Sequence, residues 1–454
     1  MHERTQRAIA RLLFIFCCAV PTCLTILSVL VTWTPWYHDR TIQHLQHEFQ
    51  KEIGLTVKIG SYDHSAPGAW TLTNLILSHP ETNQEIAKVR ELHWVIQEQE
   101  ARILMEQPEI QASQLLTFWH AIHDRFLCRP DKTDLPTQIS GNDLTIHGGQ
   151  GGVTLRDVDA WVQSDEQTTL ATLQLHLADG DIDSPVLLQM KRQRGERSLT
   201  LKPPPRTTLT LNTQGTALPC SAFSDFLPIL ESLGSEANFA GLMQWETQHD
   251  QWSLDLGGSR FDQITLDRLL QNQSHRLSGK ATIQFDRCRI EPHERRSDIS
   301  GSLLARDGLA GRSLLNGASE NLNLELLESQ QWGQFAGDIP YDLLAIGFNI
   351  NGTQLQLDGI CRSERGYESY PAGIALLLNG YPLVRSTPET VESLRLLSVF
   401  APSHSVPVLL SQQTNWLTQV LLPPSRPLPS QQTAPPRIRS ARVWQGGPSI
   451  SQPK

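Results

Sequence analysis

The residues best placed to do chemistry lie in "HAIHD", where His120, His123 and Asp124 have i, i+3, i+4 spacing. On one helix turn that spacing brings two imidazoles and a carboxylate to one side, a set able to hold a divalent metal. Trp119, Ile122 and Phe126 run beside them and describe an amphipathic structural helix equally well, so a packed helix without metal is expected. His44, His47 and Glu48 cluster on another helical segment, and a solvated helix face accounts for them. "DGDID", Asp179 to Asp183, resembles half a calcium loop but lacks the downstream bidentate glutamate; a β-turn uses the same residues. Asp157 and Asp159 alternate along one strand and share a face, but acid–base work would need a pocket around them, for which the sequence gives no sign.

No GxGxxG follows a strand, and the chain has no GxxxxGK[ST], HExxH, GxSxG or CxxC. The expectation is therefore a protein that is not an enzyme and carries no catalytic residues, cofactor or metal. Cys17, Cys18 and Cys23 sit inside an apolar run. Cys128, Cys220, Cys288 and Cys361 are scattered without zinc spacing. In an oxidising compartment these four could form up to two disulfides, in any of three pairings, or remain buried free thiols; both readings stand. A net charge of −9 over 454 residues carries no nucleic-acid footprint. Charged residues are 19% of the chain and Gly and Pro are frequent, which suits a turn-rich β protein.

The elements that would position these residues start with a membrane segment. Arg4, Arg7 and Arg11 precede "LLFIFCCAVPTCLTILSVLVTW", Leu12 to Trp33, an uncharged run of bilayer-spanning length. The basic end predicts a cytoplasmic N-terminus (1–11), a single transmembrane anchor (12–33) and the remainder outside, in preference to a cleaved signal peptide, for which the run is long and lacks a small-x-small cleavage site. Trp33 and Trp36 would mark the interface. Ile42, Leu45, Phe49 and Ile53 recur at helical spacing up to Gly54, predicting a juxtamembrane amphipathic helix.

Beyond Gly54 the period changes to two. Leu55, Val57 and Ile59 alternate with polar residues, then Trp70 and Leu72, with Leu75 and Leu77 following. The alternation returns through Leu173, Leu175 and Leu177, and again through Leu322, Leu324 and Leu326. "NING" predicts a hairpin turn. Short helices are expected over "SAFSDFLPILESLG" and after Thr387-Pro388. The Pro-rich, basic end cannot build a core. The divisions are 34–138, an N-terminal unit with the juxtamembrane helix; 139–275, a central β-rich segment; 276–422, a C-terminal β unit with terminal helices; and 423–454, a disordered tail. Many strands with one apolar face and few helices to cover it leave three outcomes: a barrel, a filled sandwich, or an open groove that takes an apolar guest.

"GLTVKIGSYDHSAPGAWTLTNLILSHPETNQEIAKVRELHWV", with the anchor before it, resembles the N-terminal unit of the AsmA-like family of bacterial envelope proteins (AsmA, YhdP and TamB relatives). "LSGKATIQFDRCRI" and "IPYDLLAIGFNINGTQLQLDGICRSERG" resemble the family's C-terminal unit, although "FDRCRI" lacks a Gly often found there. The middle of the chain is unmatched. The resemblance implies a mostly β fold: an elongated, twisted antiparallel sheet forming an open apolar groove, with one transmembrane helix and a few short amphipathic helices. It implies a single-pass protein of the bacterial inner membrane, its bulk periplasmic, that holds or transfers phospholipids in support of the outer membrane. The partners implied are membrane phospholipid, the inner membrane and other envelope proteins. Leu55, Val57, Ile59, Leu173, Leu175, Leu177, Leu322, Leu324 and Leu326 are the lipid-groove candidates. The alternative is a non-catalytic envelope scaffold or binding protein with a filled β-sandwich core.

Overall fold

In a computed structural model, residues 12–32, 34–97, 100–128, 135–148, 152–165, 167–178, 184–193, 205–225, 227–248, 251–270, 275–294, 296–327 and 337–400 are described. The expected segments 1–11 and 423–454, Trp33 and the "DGDID" turn lie outside them. The alternating segments after Gly54 pair into one 23-stranded sheet. β1 (Thr56–Lys58) and β2 (Ser61–Ala66) share one edge of β3 (Ala69–Ser78). The ladder continues through β4 (Glu85–Ile96), β5 (Ala101–Gln111), β6 (Thr137–His147), β7 (Val153–Ser164), β8 (Thr168–Leu177), β9 (Val186–Gln193) and β10 (Arg206–Asn212). Next come β11 (Leu218–Pro219) with β12 (Asn238–Ala240), β13 (Leu242–Gln248), β14 (Gln251–Asp255) and β15 (Arg260–Thr265). These join β16 (Lys280–Glu291), then β17 (Arg296–Ala310). The far end holds β18 (Leu324–Leu326), β19 (Ile339–Asn351), β20 (Gln354–Gly359), β21 (Ile374–Leu378), β22 (Tyr381–Ser386) and β23 (Val391–Glu392). Several strands are colinear pairs, so at ~4.8 Å per step the ladder runs on the order of 80 Å. It crosses residues 139 and 276 without a break.

The sheet departs from the all-antiparallel expectation at one place. β5 and β6 are parallel, and parallel neighbours need a crossover. A 3₁₀ turn (Ala112–Gln114), an α-helix (Leu115–Ile122) and a π turn (His123–Leu127) supply it.

A line of matched unpaired positions creases the first part of the sheet. Pairing skips Asn74 and Arg90 between β3 and β4, Arg90 and Gln107 between β4 and β5, and Asn142 and Asp157 between β6 and β7. Asn74, Gln107 and Asp157 have φ near 49°, 47° and 47°, in the left-handed region. Each skipped residue shifts the alternation within its own strand by one while the register is kept, so Leu72 and Leu75 both face inward, as do Val89 and Leu92. The even alternation expected for Asp157 and Asp159 is interrupted here, because the β7–β8 register shifts between Arg156 and Asp159. "NING" forms the expected hairpin between β19 and β20, with Gly352 at φ +59°.

Among the described residues no helix is long and apolar enough to cross a membrane. Within the expected span, residues 12–32 are helical, a π turn (Ile15–Ala19) being followed by α1 (Val20–Thr32). Pro21 has no N–H to offer the Cys17 carbonyl, and Val20 N–H bonds Ile15 O, five residues back. The helix expected after the apolar run is α2 (Pro35–Ile53), capped by Thr34 and ended by Gly54 at φ 79°. His44, His47 and Glu48 lie on its exposed side.

The crossover helix is α3 (Leu115–Ile122), and α4 (Leu266–Leu269) is one turn. The helix expected over "SAFSDFLPILESLG" is two 3₁₀ turns, Cys220–Phe223 and Pro228–Leu233, because Pro228 cannot continue a helical ladder. α5 (Arg312–Leu322) was not expected, and it absorbs Leu322, which is a helix residue and not a strand residue. After Thr387-Pro388, Val391 belongs to β23 and the helix α6 (Leu394–Phe400) starts later.

Candidate functional site

Cross-strand register aligns Trp70, Trp94, Ile103, Ile139, Ala160, Leu173, Leu188, Leu211 and Met243 in one row over β3 to β10 and β13. Every member is half-buried. At ~4.8 Å per strand the row extends about 40 Å. At one end α2 lays Ile42, Leu45 and Phe49 over Val57, Ile59, Leu72, Leu75 and Val89. Phe49 meets Trp94, and Trp94 meets Trp70, at ring separations of 6.0 and 5.4 Å.

At the other end α5 and α6 seal the sheet. Leu314, Leu315, Ala318, Leu322 and Val399 pack on Leu324, Leu344, Leu355 and Leu376. Leu343, Ala345, Ile374 and Leu377 form a second cluster with Tyr367 and Tyr370. β21, "IALLL", is consequently buried at every position.

The sequence candidates divide accordingly. Leu55, Val57 and Ile59 are buried, Leu55 in a cluster with Ile86, Ile110 and Ala121. Leu322 and Leu324 are buried in the sealed end and Leu326 packs against it. Leu175 is buried with Ile146, Leu155 and Val186, while Leu173 and Leu177 are half-buried beside it. Of the nine, Leu173 alone belongs to the row. The remaining row members were not among the groove candidates, although "VLLQM" and "RTTLTL" carry the same period-two signal.

A polar band borders the row. Thr169, Arg192, Thr207 and Thr247 are cross-strand neighbours on the inward phase of β8, β9, β10 and β13, and all are buried. The crossover ends against this band. Arg192 Nη1 donates to Cys128 Sγ at 2.7 Å and to Leu127 O at 3.4 Å. Its Nη2 donates to His123 Nε2 at 2.6 Å, and its Nε to Thr207 Oγ1 at 3.0 Å. His123 is stacked on Trp119. Burial holds the His123 ring below the usual histidine range, against the raising effect of its hydrogen bond to Asp124; the Arg192 charge lowers it further. A neutral ring that accepts at Nε2 carries its proton on Nδ1, which donates to Asp124 Oδ1 at 2.7 Å. Sequence reasoning noticed His123 and Asp124 but not Arg192. The available signal was a charged residue on the same phase as Val186, Leu188 and Met190.

His123, Asp124 and Cys128 stand close enough together to ligate a metal, but the guanidinium already occupies the cationic position among them. Glu91, His93 and Glu106 form a second such group on the outer face. There His93 Nε2 lies 3.3 Å from Glu91 Oε1 and 4.0 Å from Glu106 Oε1, an arrangement explained by ion pairing. Among the described residues Cys128, Cys220, Cys288 and Cys361 form no disulfide with one another.

The buried His123 makes stability pH-dependent in one direction. An unfolded histidine titrates near ~6.5. Because the folded value is lowered, this contribution is complete above the unfolded value and is lost as pH falls through the folded one. The melting midpoint should therefore drop between pH 7.5 and 5.5. In His123→Gln that slope should flatten, by about 1.4 kcal/mol for each unit of lowering removed. Circular dichroism melts of both proteins test this, and equal slopes would remove His123 from the account.

The chain matches no family model and no curated protein.

Proposed function

We propose that the chain is a membrane-anchored envelope protein that holds phospholipids, or passes them along, against the half-open inner face of its sheet. The observation that carries this reading is the unbroken, half-buried apolar row from Trp70 to Met243. A leaflet's acyl layer is ~15 Å deep, half of a bilayer's hydrocarbon core, so the row is longer than one acyl chain. Each buried CH₂ contributes ~0.8 kcal/mol, enough for a passive site to retain a lipid. The indole N–H groups of Trp94 and Trp245 are buried on this face with no partner among the described residues, so a lipid ester carbonyl would satisfy donors that otherwise cost about 1–3 kcal/mol each.

Attachment to a bilayer is supported by residues 12–32. Phe14 and Phe16 are each 66% exposed, and Leu12, Leu24, Leu27 and Leu30 are also exposed, an apolar surface that lipid would cover. Trp36 and Tyr37 are exposed just beyond, with the Arg40 guanidinium 5.4 Å from the Trp36 ring centroid, as suits a headgroup layer. The inner membrane, periplasmic exposure and a role in outer-membrane upkeep follow from the AsmA-like resemblance. A second reading, a scaffold with a filled core, is favoured by the sealed C-terminal end. Native mass spectrometry of the full chain released from detergent distinguishes them. Bound phospholipid is expected; consistently lipid-free protein after purification from membranes would sink the lipid reading and favour the scaffold.

A further inference from the structure

We propose that Cys128 is a modification site for hydroperoxides, a thiolate whose oxidation unfastens the β5–β6 crossover from β9. The inference is independent of the lipid reading. Three elements converge on the sulfur. The π turn supplies His123 and Asp124, the end of the crossover supplies Cys128, and β9 supplies Arg192. Arg192 Nη1 is 2.7 Å from Sγ, while the two His123 ring nitrogens are 3.8 and 3.9 Å from it. A guanidinium donating to sulfur favours the thiolate, the nucleophilic form. The other thiols of the sheet region are built in the opposite way. Cys220, Cys288 and Cys361 are buried and pushed up to about 11, 11 and 12, chiefly by desolvation. Cys128 is only partly buried.

The reaction balances without a cofactor. The thiolate sulfur attacks the terminal oxygen of a hydroperoxide; the S–O bond forms as the O–O bond breaks. Sulfur is oxidised by two electrons to the sulfenic acid, and the departing alkoxide or hydroxide takes a proton from water. The product has lost the negative charge that Arg192 binds. The crossover's π turn and Cys128 are attached to β9 by Arg192's bonds to His123, Leu127 and Cys128, so oxidation weakens that attachment.

The test uses the full chain in detergent with Cys17→Ser, Cys18→Ser and Cys23→Ser, followed by peptide mass spectrometry of iodoacetamide adducts from pH 5.5 to 9. Cys128 should react at least about tenfold faster than the three buried thiols at pH 7, with its rate midpoint below the ~8.5 of a free cysteine. Arg192→Gln should raise that midpoint, and Arg192→Lys should preserve part of the lowering. If Arg192→Gln does not fold, the pH profile of the Arg192 protein still decides. Equimolar peroxide should give a dimedone adduct at Cys128 and faster hydrogen exchange over 115–128. A fatty-acyl hydroperoxide that outpaces hydrogen peroxide would assign the source to lipid, and equal rates to small peroxides. A midpoint at or above ~8.5, or alkylation no faster than at the buried thiols, overturns the proposal. So does equimolar zinc that binds the protein and blocks alkylation.

Discussion

If the proposed lipid reading holds, Leu188→Glu should strip phospholipid from the purified full-length chain and leave its sheet intact. Leu188 lies on the row between Leu173 and Leu211, half-buried and outside every packed cluster. A carboxylate there can reach water, so the fold loses little, while an acyl chain laid over it would have to desolvate the charge. Lipid-to-protein ratio should fall at least about tenfold, corresponding to ~1.4 kcal/mol or more. The melting midpoint should move by no more than a few degrees. Leu175→Glu is the contrast. Leu175 is 7% exposed among Ile146, Leu155 and Val186, and its carboxylate has no such escape. That variant should fail to fold. Leu188→Glu that retains its lipid would show that the row is not the binding surface. Unfolding of Leu188→Glu would show that the row is closed core.

Leu376→Ala should cost about 2–5 kcal/mol, the range for truncating a fully buried leucine. Leu376 has no exposed surface and packs in the cluster that α5 and α6 cover. Hydrogen exchange of β19, β21 and β22 in urea reads the loss locally, which suits a long sheet whose parts need not unfold together. A cost under about 1 kcal/mol would mean that this end is loosely filled. Paired with the Leu188 result, it separates a sealed end from an open middle in one protein.

The strands were legible wherever one face is wet. "TLATLQLHL" became β8 because alternate side chains meet different solvents. α2 was legible from its four apolar residues and Gly54. The crease was written in the sequence too: in "WTLTNLILS" the apolar phase slips between Leu72 and Leu75, at the skipped Asn74. α5 was missed because Asn316, Gly317 and Ser319 are weak helix formers, and tertiary packing of Leu314, Leu315, Ala318 and Leu322 decides instead. The parallel β5–β6 pairing is non-local, and nothing in either strand announces its partner. Of the candidate site, Leu173 was legible from its period, but burial was not. Period two says which face a residue takes and is silent about what covers that face, so Leu173 and Leu324 looked alike. The Arg192 cluster joins residues 123 to 128 with residue 192 and could not be assembled without the fold.

The crease also constrains how this chain can change length. Asn74, Arg90, Gln107, Asn142 and Asp157 sit at the skipped positions of successive strands β3 to β7. Losing one of them would invert every side chain beyond it in that strand relative to its neighbours, turning Leu75 and Leu77 outward if Asn74 were deleted. Single-residue deletions here act like frameshifts in three dimensions. These residues form a coupled set, gained or lost together or not at all, whereas the hairpin ends of the same strands have no such restriction.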